Sequence, residues 1–174
     1  MRKLSGVSVV LIAGVALYFA AFWGLDALRV LTSPTYGLDD AWRAQTIFGI
    51  GSLFGLGPMG LIKLGAFIGI LKLAVAIVCV LHVAARLRGW ATGGAVRTEA
   101  LDGGLILVAL IGLASIVPAV LSQNSDLVRE HLIQLAFAGL AMALCALERS
   151  QSDADEGAKA TAIPAHANWY SPWR

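Results

Sequence analysis

Lys72, His131 and Gln134 are the side chains in this sequence whose types and surroundings point to chemistry. Lys72 lies near the centre of the longest predominantly apolar run, Gly60 to Leu87, with no acidic residue near it in sequence. A charge at that depth in a bilayer costs about 2.5–3.5 kcal/mol on insertion scales, so a partner must offset it. Asp26 is the nearest candidate in type. It falls at the outer end of the first apolar run, three residues from Arg29 and spaced to pair with it locally. Counted from the helix ends, Asp26 is too shallow to reach Lys72. No carboxylate of the chain then matches the lysine's depth, and the expected partner is outside the chain.

Residues seven apart nearly eclipse on a helix, so Gly65, Lys72, Cys79 and Arg86 share one stripe. Gly65 and Gly69 form a small-xxx-small pair that lets another backbone approach, which marks the Lys72 face as a protein-contacting one. In the fourth apolar run, Glu130, His131 and Gln134 cluster within the first turns. His131, Gln134, Ala138, Ala141 and Cys145 then line one broad face. Glu130 suits the positive end of a helix dipole, His131 is expected to be wet at the interface, and Gln134 to hydrogen-bond across helices. Pro118 withholds the amide that would bond Ala114, and Ser115 or a neighbouring cation is placed to satisfy that carbonyl.

Other chemistries find little footing. Haem ligation by two histidines needs both at one depth, whereas His82 and His131 fall towards opposite ends of their runs. Cys79 and Cys145 form no CxxC or zinc-type spacing and read as small packing residues. No Ser-His-Asp set, HExxH or phosphate loop occurs. The glycines Gly49, Gly51, Gly55 and Gly57 read as membrane packing. A formal charge of +2 and the lack of a basic stripe exclude a nucleic-acid partner.

The elements that carry these residues are those of an all-α integral membrane protein. Of 174 residues, 58% are hydrophobic and 14% charged, against about 45–50% and 25% in soluble domains. Residues 1–149 form a transmembrane domain with spans of about 6–31, 60–86, 103–121 and 127–147. The Met1-Arg2-Lys3 opening resembles a signal peptide, but the run is too long, and the first span is expected to be retained. Before the second span, residues 41–57 are too short and too glycine-rich to cross a bilayer. They suit an interfacial or re-entrant segment capped by Asp39 or Asp40, with one kinked helix from Ala41 to Arg86 as the rival. Eight Lys and Arg on the side of the termini against four on the other predict cytoplasmic N- and C-termini in an inner membrane. Trp23 and Trp42 are expected at the outer interface and Trp90 at the inner one. Residues 150–174 read as a cytoplasmic tail, linker-like until Trp169, Tyr170 and Trp173, which suit docking against a groove or a headgroup surface.

The function expected from these residues is that of a non-catalytic accessory or structural subunit of a larger membrane complex. Gly65, Gly69, Lys72, His131, Gln134 and the terminal aromatics are its candidate contacts, and lipid and other membrane subunits its partners. The alternative is a small oligomeric transporter or channel for an anionic or small solute, with Lys72 in the pathway. A haem- or quinone-binding anchor ranks below both, and no cofactor is assigned.

Overall fold

The computed structural model describes residues 2–92 and 99–161, which fold into five helices: α1 (Arg2–Thr32), α2 (Ala41–Leu53), α3 (Pro58–Thr92), α4 (Glu99–Leu121) and α5 (Ser125–Thr161). There is no strand among the described residues. Four helices, all but α2, are long and apolar enough to cross a membrane. Each exceeds the roughly 20 residues a bilayer requires. Large apolar side chains cover the outside, among them Leu17, Leu28, Leu81, Leu110 and Leu132, each more than half exposed. That is the inverse of a soluble surface and fits lipid contact. The helices outrun the expected spans because their polar flanks continue them. Residues 150–161, expected as linker, extend α5, as their three alanines and the absence of proline permit.

The breaks follow from local chemistry. Asp40 caps α2, its carboxylate accepting from the Trp42 amide at 3.1 Å. At the other end Gly55 takes φ +61°, and the Leu56 and Gly55 amides return to the Gly51 and Ser52 carbonyls. This is a Schellman ending, which requires the left-handed backbone that glycine supplies. Pro58 then starts α3 at the first-turn position it favours, so the single kinked helix from Ala41 to Arg86 is not what forms. The α4–α5 hairpin repeats the device with Gln123 at φ +54°, and Asn124 closes it by capping α5 through the Leu127 amide.

α1 packs antiparallel on α3, with Gly24 against Ala76 and Gly69 against Val30 and Leu31. Carrying that register on, Thr32 lies level with about residue 68, so α3 runs roughly 15 Å past the end of α1. The linker and α2 fill that overhang. The Tyr36 carbonyl and Ile47 lie against Gly65, Leu61 against Gly51, and the Pro118 ring against Gly49. Below them sits the apolar core of Ile12, Phe19, Trp23, Val75, Cys79, Leu105, Val108, Ala138 and Cys145.

Candidate functional site: the Asp26–Lys72 cluster

The α1–α3 register brings together two charges 46 residues apart. Lys72 Nζ donates to Asp26 Oδ2 at 2.7 Å, and Arg43 Nε on α2 donates to Asp26 Oδ1 at 2.6 Å. Arg43 Nη1 reaches on to Asp40 Oδ2 at 2.6 Å. The four charges alternate along a line, Asp40, Arg43, Asp26, Lys72, and cancel. The Asp26 side chain is 8% exposed and that of Lys72 is 17%, so this is an ion cluster inside the bundle rather than at its surface. Asp26 therefore does reach Lys72, and the lysine has its countercharge within the chain. The expected local pair of Asp26 with Arg29 is replaced by the pairs with Arg43 and Lys72.

Lys72 Nζ also stands 5.6 Å from the Trp23 ring centroid and 6.0 Å from that of Trp42, within cation–π range. Trp23 does not stand exposed as a member of the expected interfacial belt. Trp23 is 1% exposed in the core, and Trp42 lines the cavity beside the lysine. Trp90 is exposed. Trp23 Nε1 donates to Gln134 Oε1 at 3.3 Å, and Gln134 Nε2 to Glu130 Oε1 at 3.2 Å. Gln134 thus links helices as expected, between α5 and α1.

Trp23, Asp26, Trp42, Arg43, Lys72 and Gln134 line a largely closed cavity of about 40 Å³, which Ser115, Gly65 and Gly69 also line. At about 10–15 Å³ for each water, it has room for some three. His131 lines it with 7% exposure, and neither ring nitrogen has a hydrogen-bond partner among the described residues. The expectation of a wet interfacial histidine is corrected, because α5 turns this face inward against α1 and α4. Gly65 and Gly69 are also internal. A Cβ on Gly65 would lie 3.2 Å from the Tyr36 carbonyl, and one on Gly69 would lie 3.0 Å from Val30. The small-residue face packs on the chain's own α1 and linker. Ser115 donates to the Ile111 carbonyl at 2.7 Å rather than to that of Ala114.

A second polar group ties the opposite end of the bundle. Arg86 Nη2 meets Glu148 Oε2 at 2.7 Å, Arg149 meets Asp102 at 2.8 Å, and Arg86 Nε donates to His82 Nε2 at 3.4 Å. Lys72 and Arg86 are 14 residues apart on α3, about 21 Å, and the core fills the space between them. His82 and His131 accordingly belong to different clusters. No group of three His, Cys, Asp or Glu converges to hold a metal among the described residues. Trp169, Tyr170 and Trp173 lie outside the described residues.

Arg43 and Trp42 are members of the site that the sequence reading did not assign to it, and Asp26 is one that it weighed and set aside as too shallow. One signal for them was present: Trp23 and Asp26 are three apart, on one face of α1, as Asp40 and Arg43 are at the start of α2. The cluster can hold a polar solute by charge and hydrogen bond in a water-poor setting. Compared with known proteins, the chain matches no family model, no curated protein and no solved structure.

Proposed function

We propose that this is a non-catalytic, transport-type membrane protein that holds a small polar solute at the Asp26–Lys72 cluster. The observation that carries this reading is the cavity itself: paired charges line it, and so does a buried histidine whose two nitrogens have no partner among the described residues. Ionisable residues gathered inside a membrane bundle characteristically mark solute or proton pathways. The accessory-subunit reading leaned on a lysine without a countercharge, and Asp26 supplies one. That support is gone, whereas the alternative with Lys72 in the pathway gains a site. In this proposal both termini are cytoplasmic in an inner membrane, the solute arrives from the outer side, and α2 is an interfacial helix covering the site. The core between the clusters leaves no polar path through one subunit at rest, so transfer requires a second arrangement of the helices or an oligomer.

The test is reconstitution of the purified full chain in liposomes, with efflux of small anions, cations and neutral solutes followed for the parent and for Lys72→Met. Flux of at least one solute, lost in the variant while the fold is retained, is the expected result. No flux, together with stoichiometric co-purification of another membrane protein in mild detergent, would return the accessory reading. Labelling of Ser125→Cys tests orientation, and reaction only from the cytoplasmic side would overturn it.

A further inference from the structure

We infer that the cavity beside Lys72 is a site for a small hydrogen-bond-accepting monoanion, of the size of formate or nitrate, entered past the Asp26–Arg43 ion pair. This rests on the solute-holding reading above and narrows it to a ligand class and a route. The argument begins with unused hydrogen-bonding capacity. An ammonium carries three N–H donors, and Lys72 spends one on Asp26. The flanking Trp23 and Trp42 rings offer faces and no acceptor atoms. A neutral imidazole offers one donor and one acceptor, and both are unused on His131. Of the other polar groups lining the cavity, Gln134 is engaged with Trp23 and Glu130 and the Ser115 hydroxyl with the Ile111 carbonyl, which leaves the Thr46 hydroxyl beside the two remaining N–H groups of Lys72. The surplus is therefore in donors.

Charge points the same way. The ionic groups lining the cavity itself are Asp26, Arg43 and Lys72, one negative against two positive, with the Glu130 carboxylate set back behind Gln134 at the vestibule wall. Asp40, the balancing carboxylate, lies on the far side of Arg43 with its side chain 43% exposed, where water screens it. Size sets the remaining limit. Space for about three waters admits three or four heavy atoms and excludes a gluconate or a phosphate ester.

The route is visible in the lining. A wider, open vestibule of about 390 Å³ between α1, α2 and α5 is walled by Phe22, Leu25, Arg29 and Glu130. It shares Asp26, Trp42 and Arg43 with the smaller cavity. The Asp26–Arg43 pair is thus the partition between the two. Because Arg43 is also bonded to Asp40, it keeps one carboxylate partner when it swings off Asp26.

The experiment uses the full chain in nanodiscs, with Trp90, Trp169 and Trp173 replaced by Phe so that Trp23 and Trp42 report. Sodium formate and sodium nitrate are titrated at constant ionic strength against sodium gluconate. The expected result is a saturable fluorescence change with formate or nitrate, absent with gluconate. Affinity should weaken about tenfold or more in His131→Leu, as for loss of one hydrogen bond to a charged group. His131 holds no hydrogen-bond partner among the described residues, so this variant strands none of them, and its helical circular dichroism should equal the parent's. A linear response, an equal response to gluconate, or unaltered binding in His131→Leu overturns the proposal. Flux of a cation or neutral solute without monoanion binding would sink this inference and spare the transport reading. Monoanion binding without flux of any solute would do the reverse.

Discussion

Asp26 accepts from both cations, so replacing it should be the most damaging single change in the cluster. At 2.7 Å and an effective dielectric of about 20, each ion pair is worth about 6 kcal/mol before desolvation is subtracted. Breaking a buried pair by removing one partner typically costs about 3–5 kcal/mol, because the other charge is left without compensation. In Asp26→Asn, Arg43 keeps Asp40 at 2.6 Å but Lys72 keeps no carboxylate partner, so the full range is expected. Lys72→Met is different in kind. Asp26 remains bonded to Arg43 at 2.6 Å, the methionine is apolar, and the loss should be about 1–2 kcal/mol, mostly the cation–π contacts with Trp23 and Trp42. The double variant Asp26→Asn/Lys72→Met should recover most of the Asp26→Asn loss, since no lysine is left to strand. The assay is reversible unfolding in mixed micelles with increasing SDS, followed by circular dichroism and arranged as a double-mutant cycle. Lys72→Met proving as harmful as Asp26→Asn, or strict additivity in the double variant, would refute the alternating-charge account.

Gly49→Ala should cost about 1–3 kcal/mol, since its Cβ would overlap the Pro118 ring; thermal unfolding of the two chains side by side measures it. Gly139→Ala, with nothing within 4 Å of the added carbon, should instead be neutral or stabilise by up to about 1 kcal/mol in the same assay. Asp40→Ala removes the α2 cap and the second partner of Arg43. It should lower stability by at least about 1 kcal/mol and raise hydrogen exchange at the amide of Trp42 before that of α3. In the α1–α2 linker, the hydrogen bond from Thr35 holds the Asp39 carboxyl below its ordinary value, helped by Ser33. Its contribution to linker order is therefore complete above the unfolded carboxyl's pKa and fades as pH falls through the lower folded one. An NMR titration that places Asp39 at or above an ordinary aspartate would contradict this.

The architecture was largely legible because it depends on local signals. Apolar runs of sufficient length gave four long helices, Asp40 announced a helix start at Ala41, and Gly55, Gly57 and Pro58 announced the break before α3. The Lys72 partnership was not legible, for a geometric reason. Depth had been counted from helix ends as though all helices began in one plane. The actual offset between α1 and α3 is set by packing of Gly24 on Ala76 and Gly69 on Val30, contacts between residues far apart in sequence that no local window contains. The same blindness put His131 in the interface, since the face α5 presents inward is decided by α1 and α4 rather than by its own sequence.

That offset has a chemical consequence. The overhang of α3 is filled by α2, and α2 is tied to the span helices through Arg43, whose Nε holds Asp26 and whose Nη1 holds Asp40. One guanidinium side chain thus joins a short helix to the charged centre of the bundle. A lysine paired only with a fixed aspartate would be inert. Here the aspartate is shared, so a shift of α2 away from α1 would carry the Arg43–Asp40 pair off together, leave Asp26 with Lys72 alone and, on the proposal above, open the partition between vestibule and cavity. A ligand that takes the free donors of Lys72 and His131 would work on the same balance from the inside. Movement of α2 and occupancy of the cavity should therefore be coupled, and hydrogen exchange at the start of α2 should change when the cavity is filled.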